Sequence, residues 1–467
     1  MRAQRTARWI GGTGVVVGAS MAGLCAARVL ADRFEHVVVL DRDRLPDGPE
    51  HRRLVPQSQH PHLLMKAGHE ILEGWFPGLT DDLVDGGAIL FDIAADVHWW
   101  DQGGLARRPT SELVSPAMSR PYLEHLVRQR VAALPNVTIR GATAVGGLTE
   151  ASGGGRVTGV RLDDDTVLAA DLVVDASGRH ARSVRWVEEL GYESPVVDQV
   201  HIDTRYVSRV YRRDDRRTRG WTAAAVMGGP EAKQQIMCLP IEGERWIVVL
   251  IGVNGVVPPT DDDGMLAMAR SFESHAIAEV METSEAMGPA VTHRFPASQR
   301  RRVEKLRRFP AGWILLGDAI CSFDPIYGQG MSSAAQQAQA LGAQLDRAGA
   351  VDHRLGRRYF AAAGRIVATP WSIAVGGDFA FDGTTGDKPF GTDLFNRYGR
   401  RVIIAGQHDD AAVLRFNAVA AMVRRPASLL APGFLLRVMW ASRRGPGVVT
   451  SSGDESAVTL QSTQATR

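Results

Sequence analysis

The hydrophobic pattern of this chain changes texture several times along its length. Residues 15–17 are a run of valines, broken by Gly18, Ala19 and Ser20 and followed by an apolar helical pattern from Met21 onward. A short apolar run closed by a glycine turn and joined to a helix predicts a buried strand, a tight turn and a packed helix. A second strand is predicted over 36–40, and strand and helix patterns return at 119–134, 171–177 and 313–345. Between them the texture differs. Residues 85–110 and 194–294 alternate apolar and polar positions, as in 235–240 and 245–252, which predicts an antiparallel sheet with one open face. Residues 369–443 read as mostly helical, with a glycine-rich loop over 376–391 placed to lie over a site.

Two of these segments carry chemistry. In the first, Gly18 permits the tight turn, Gly23 permits close packing of helix on strand, and Ser20, Met21 and Ala22 lie between them. Asp41, with Arg42 after it, ends the second strand where a ribose hydroxyl acceptor belongs, so the unit reads as a dinucleotide-binding βαβ opening in which Ser20 replaces the middle glycine. The second segment, 312–331, is an apolar strand ending in Gly317 and Asp318, then a turn containing Pro325, Gly328 and Gly330, then a helix from about Met331. An Asp leaving a strand can hold a polyol hydroxyl, and the helix start aims free N–H groups and a positive dipole end at developing negative charge.

The predicted fold class is therefore α/β. A discontinuous Rossmann-like domain is expected over 10–84, 111–190 and 295–368, with an inserted antiparallel sheet domain for substrate over 85–110 and 191–294. A helical region over 369–446 and a disordered tail over 447–467 complete the expected organisation. Ligands in such folds sit at the carboxyl ends of the parallel strands, against the inserted domain.

Composition narrows the function classes. The 467 residues are 45% apolar, enough for a substantial core, and the net charge of +2 argues against a nucleic-acid surface. Cys25, Cys238 and Cys321 follow no metal or paired spacing, which fits a reduced, cytoplasmic setting. No segment is long and apolar enough to span a bilayer; the amphipathic stretch 426–441, flanked by Arg pairs, is expected to pack on the body rather than insert. His60 and His62 are placed either to reach a site and donate to substrate or, the commoner outcome, to cap or face solvent, and no metal site is predicted. Trp99, Trp100, Trp221, Trp246 and Phe323 are equally suited to an aromatic pocket wall or to core packing. The Arg- and Asp-rich run 211–219 reads as a solvated hairpin tip.

Together the motifs resemble the class A flavoprotein monooxygenases, the FAD-containing family typified by p-hydroxybenzoate hydroxylase. The resemblance rests on the 18–23 fingerprint with Asp41, on residues 171–179 with Asp175 and Gly178, and on the Gly317, Asp318 segment. Residues 52–62, 119–124 and 295–301 are similar to a subset from actinobacterial polyketide pathways: epoxidases, aromatic hydroxylases, and FAD-containing [4+2] cyclases that catalyse no net redox change. The resemblance implies FAD, with Asp318 on the ribityl chain, Arg52 toward the FAD phosphates and Arg120 facing the cofactor. It implies monooxygenation of a largely apolar polyketide-like small molecule through a flavin C4a-hydroperoxide, with NADPH or NADH as transient co-substrate. The alternative it implies is a redox-neutral cyclase of the Diels-Alder type forming a spirotetronate- or spirotetramate-like ring. No catalytic residue is assigned, and oligomeric state stays open. Asp324 stands where the subset carries Asn, and a carboxylate beside the flavin ring would disfavour an anionic reduced flavin.

Overall fold

The computed structural model describes residues 9–218 and 220–447, so nearly all of the tail expected to be disordered lies outside the described residues. Five strands form a wholly parallel sheet in the order Trp313–Leu315, Leu172–Asp175, Gly11–Val17, Phe34–Leu40, Val137–Arg140. Their valines and leucines are buried because helices cover such a sheet, which is why they read as apolar runs without alternation. Helices Met21–Ala31, Arg120–Ala132 and Gly330–Ala348 pack with it around one large core that includes Leu24, Leu30, Val174, Ile314 and Leu341. A small antiparallel sheet of Val145–Glu150, Val157–Leu162 and Val167–Ala169 is spliced into this part of the chain.

A second, larger sheet is built around the long strands Val197–Arg212 and Ala286–Arg301, continued by Arg245–Val253, Gln234–Ile241, Ala223–Met227 and Val97–Asp101. It is not purely antiparallel, since Val97–Asp101 runs parallel to Ala223–Met227. Nor is one face open. Helices Asp262–Arg270 and Ala276–Thr283 bury Cys238, Trp246, Val248 and Leu250 against Met265, Phe272 and Ile277. On the other face Met237, Leu239, Val249 and Ile251 point toward the first domain. Polar residues at the intervening positions are few because both faces are covered, and the strand Arg245–Val253 is buried from Trp246 on.

The C-terminal region is helical: His353–Asp378, Thr392–Gly406, Asp410–Ala420 and Pro432–Ala441. The glycine-rich loop before the second of these pairs Thr385 and Gly386 with Val197–Arg212, which fastens it to the large sheet. Among the described residues no helix is long and apolar enough to cross a membrane.

Candidate functional site

The carboxyl ends of the parallel strands open on a cleft of about 300 Å³ that brings together residues from seven separate stretches of chain. Gly18 turns the first strand into its helix at φ 104°, and a Cβ there would lie 2.7 Å from the Ala176 carbonyl oxygen, so the turn admits glycine alone without strain. Gly23 lies behind the cleft: its Cβ would fall 1.7 Å from the Gly18 carbonyl oxygen, so helix and strand touch through backbone. The helix Met21–Ala31 has no side-chain cap and no acid in its first turn, because the Ser20 hydroxyl is drawn instead to Glu124 at 2.8 Å. Its first N–H groups are thus left facing the cleft, the arrangement that binds anions at helix ends.

Charge at this end is organised around Glu124, which sequence reasoning quoted but did not single out. Arg52 pairs with Asp41 at 2.6 Å and with Glu124 at 2.9 Å, and Arg120 reaches both Glu124 at 2.9 Å and the Ser20 hydroxyl at 2.7 Å. Burial alone would push the Glu124 carboxyl up, but Arg120 and Arg52 overturn this and hold it below the usual range. Asp41 also accepts from the Ala19 and Asp43 amides, at 2.7 and 2.8 Å. Arg52 Nε faces the Asp43 carboxylate at 3.6 Å, and Arg120 Nε is buried without a hydrogen bond among the described residues, while both side chains line the cleft. Arg42, Thr143, His180, Arg182 and Trp186 complete this end; none of the last four was anticipated, since 143–186 carries no motif of its own at those positions.

At the opposite end, Asp318 projects into the cleft from the turn after Trp313–Leu315 and makes no hydrogen bond among the described residues. It is open to the cleft but walled by protein, and loss of bulk water raises its carboxyl above the usual range against the pull of Arg120 and Arg179. The helix Gly330–Ala348 again starts without a side-chain cap, after Gly328 at φ 66°. Pro325, Gly328, Gly330 and Met331 line the cleft with Ala22 and Met21. Asp175 does not line it. Its carboxylate takes the Ser177 amide at 2.9 Å and hydroxyl at 2.5 Å and thereby shapes the turn that presents Ser177 and Gly178 to the cleft.

A smaller chamber adjoins the cleft and shares Gln57, Pro61, His62, Leu63, Pro325 and Gly328 with it. Its far wall is the inner face of the large sheet, with Met237, Leu239, Val249, Ile251, Tyr206 and His293. His60 and His62 are not on the surface: both line the chamber, and burial lowers them to about 3 and about 4, so both are neutral. His60 Nδ1 bonds Ser208 at 2.8 Å and its Nε2 has no partner. The tryptophans lie elsewhere. Trp100, Trp221 and Trp246 belong to the core on the helix-covered face, Trp99 lines a separate small cavity, and only Phe323 of that set borders the cleft.

Asp324 corrects the electrostatic expectation drawn from sequence. It is 2% exposed, lines neither cavity, and turns its carboxylate to Thr204 at 2.6 Å, to the Tyr206 hydroxyl and to the Ile326 amide at 3.1 Å. Asp378 lies close by, bonded to Ser298 at 3.3 Å and Tyr327 at 3.4 Å, and burial with the Asp324 charge pushes it well above the usual range. Among the described residues no group of three or more His, Cys, Asp or Glu side chains is placed to hold a metal.

A glycine-turned parallel strand, two uncapped helix ends and an aspartate open to the cleft, set against a second sheet, define a dinucleotide-binding type of fold. Comparison with known proteins agrees. Protein Rv3254 of Mycobacterium tuberculosis is 34% identical over 410 residues, 82% of this chain and 85% of that protein. The solved structure of PqsL, a probable FAD-dependent monooxygenase from Pseudomonas aeruginosa, matches 80% of this chain and 99% of its own at 19% identity with a TM-score of 0.60. The Diels-Alderase PyrE3 of pyrroindomycin biosynthesis matches 88% of this chain and 80% of its own at 17% identity, TM-score 0.56. No protein-family model matches the sequence. The chain is thus a homologue of protein Rv3254 and shares its fold with FAD-dependent monooxygenases.

Proposed function

We propose that the protein is a FAD-dependent monooxygenase, a hydroxylase or epoxidase, that oxygenates a largely apolar polyketide-like secondary metabolite with NADPH or NADH as transient reductant. The observation that carries this reading is that the cleft shares Pro325 and Gly328 with an adjoining small chamber walled mainly by Leu63, Met237, Leu239, Val249 and Ile251. A cofactor spanning the cleft would present its reactive end to a substrate lying on those side chains.

The residues fit FAD. The Met21–Ala31 helix start, with the cleft-lining Arg52 and Arg120, suits the pyrophosphate, and Asp41 suits the adenosine ribose. Asp318, which makes no hydrogen bond among the described residues, suits the ribityl hydroxyls, and the Gly330 helix end suits negative charge on the ring. When bound, FAD supplies storage of reducing equivalents and activation of O2. The chain itself orients the substrate on the sheet, keeps the chamber dry with aliphatic side chains, and offers neutral His60, His62 and His293 as hydrogen-bonding groups that add no charge near the ring.

A second reading is a redox-neutral [4+2] cyclase, favoured by the fold shared with PyrE3; in it the protein would act by holding a flexible polyene in one conformation. The deciding experiment follows NADPH or NADH oxidation and O2 uptake by the purified yellow protein with candidate apolar polyketides. Bound FAD that neither pyridine nucleotide reduces, together with product formed from oxidised enzyme, rejects the oxygenase in favour of the cyclase. A protein with no affinity for FAD rejects both.

A further inference from the structure

The C-terminal helices carry a surface that the cleft does not use. Thr392–Gly406, Asp410–Ala420 and Pro432–Ala441 form their own small core of Val402, Ala405, Ala412, Phe434, Val438 and Ala441. That core takes one side of each helix. On the other side Phe390, Leu394, Phe395, Leu436, Met439 and Trp440 are exposed, Leu436 by 73% and Trp440 by 61%. The two outer helices lie side by side, with Arg401 at 2.8 Å from the Met439 sulfur. Leu394 and Phe395 on the first, Phe390 just before it, and Leu436, Met439 and Trp440 on the second make up the exposed apolar surface, or ridge, of this helix pair. Scattered exposed leucines are ordinary, but six large exposed apolar residues in so short a stretch of fold are not.

The charge around the ridge is one-sided. Residues 388–447 hold ten Lys and Arg against three acids, a surplus of seven in a chain whose net charge is only +2. All three acids are engaged: Asp393 by Lys388, Asp409 by Arg437 and Asp410 by Arg107. Arg397, Arg400, Arg424, Arg425 and Arg443 are exposed and have no carboxylate partner among the described residues. Arg444 stacks over the Trp440 ring at 5.0 Å, so positive charge rims the apolar groups themselves.

We infer that this ridge is a docking surface for an anionic lipid bilayer. Trp and Arg with aliphatic stems are the side chains that settle at a membrane interface, apolar bodies inward and polar ends at the headgroups. A second copy of the chain is disfavoured because two-fold pairing would set the surplus of seven positive charges against itself. The same helices also border the site, because the Ala420 carbonyl accepts from Gln329 at 2.9 Å and the Ala421 carbonyl from the Ala67 amide at 3.2 Å. A bilayer-bound enzyme would thus hold its cleft near a reservoir of apolar molecules.

The test uses the full FAD-loaded chain and sedimentation with phosphatidylcholine vesicles, with and without phosphatidylglycerol. Wild type sediments with the anionic vesicles, stays in solution with the neutral ones, and is released by high salt. Each unpaired Arg removed lowers partitioning about five-fold, from roughly 1 kcal/mol per basic group at such a surface. The pair Arg424→Glu and Arg425→Glu, and separately Leu436→Glu with Trp440→Glu, abolish binding while flavin absorbance and melting temperature hold. Absence of sedimentation, or equal binding by both variants, overturns the proposal. So does a dimer by light scattering that Leu436→Glu dissociates, which would assign the ridge to a second copy, and so does capture by an acidic protein without vesicle binding.

Discussion

Replacing Arg52 by Met tests the electrostatic core of the site. The Arg52 side chain is 4% exposed and lies 2.6 Å from Asp41, 2.9 Å from Glu124 and 3.6 Å from Asp43. Burial works against its charge, but Asp41 and Glu124 outweigh that and raise its pKa, so the guanidinium is fully charged. Met fills similar volume but leaves two buried carboxylates short of a partner. Glu124 keeps Arg120 at 2.9 Å and Arg128 at 3.8 Å, whereas Asp41 keeps only the two backbone amides. Removing one member of a buried ion pair costs about 3–5 kcal/mol, and the residual amide bonds place this case toward the lower end. FAD affinity falls with it, by about ten-fold or more, since the same carboxylates then repel the pyrophosphate across the cleft. Urea unfolding of apoprotein and flavin titration measure the two effects separately. Acid titration adds a signature. Glu124 has a depressed folded-state value, so its stabilisation is present above the ordinary carboxylate value near 4.5 and is lost as pH falls through the lower folded value. That acid-linked loss shrinks in the variant. Adding Asp41→Asn recovers about 1–3 kcal/mol of coupling. A loss under about 1 kcal/mol with unchanged FAD affinity refutes the reasoning, because it would mean the network is hydrated and not a buried partnership.

Other outcomes follow from single contacts. Gly18→Ala meets the Ala176 oxygen at 2.7 Å in a left-handed conformation and is expected to lose about 1–3 kcal/mol of stability and most FAD binding; a normal melting curve with normal flavin content contradicts this. Met237→Trp fills the chamber wall and should abolish substrate-dependent turnover while FAD content stays unchanged; retained turnover places the substrate elsewhere. All three thiols are buried, and burial pushes each up, Cys25 to about 12, so none should react with a thiol reagent until the protein unfolds. Asp378 is raised in the folded state, so the native protein keeps a proton that the unfolded chain releases, and stability falls as pH rises above the ordinary Asp value. Asp378→Asn should flatten that fall and gain stability near neutral pH, and Asp324→Asn, which leaves both cavities untouched, should leave flavin reduction unchanged; a slower or faster reduction would place the carboxylate at the ring after all.

What sequence made legible was local. The valines before Gly18, the apolar run before Asp318 and the helix starts after Ser20 and Gly328 are all specified by residues within a few positions, and periodicity with turn chemistry recovers them. What it missed was set by long-range partners. Glu124 is an unremarkable acid on a helix until Ser20, Arg52 and Arg120 converge on it from positions up to 104 residues away. The sheet face expected to be open is covered by helices 262–283, and alternation cannot distinguish a solvated face from one that a later helix buries when its residues are small or amphipathic. Trp100 and Trp246 likewise read as pocket or core alike until strand register decides which face each occupies.

Asp324 shows why proximity in sequence to a site is weak evidence for a role in it. Its neighbours Phe323 and Pro325 both border the cleft, so any motif-based transfer places the carboxylate there too. Its backbone turns at φ −53°, ψ 121° into the short helix 325–327, and its side chain caps that turn through the Ile326 amide. The capping geometry points the carboxylate back into the sheet, where Thr204 and Tyr206 of the long strand satisfy it. An Asn could make the same cap, so the residue usual at this place in similar enzymes and the one found here are interchangeable for the turn. They differ in charge, and in this chain that charge acts on Asp378 and on the join between the large sheet and the C-terminal helices, away from the ring. The substitution thus changes the pH response of that join while leaving the cleft free of an added carboxylate.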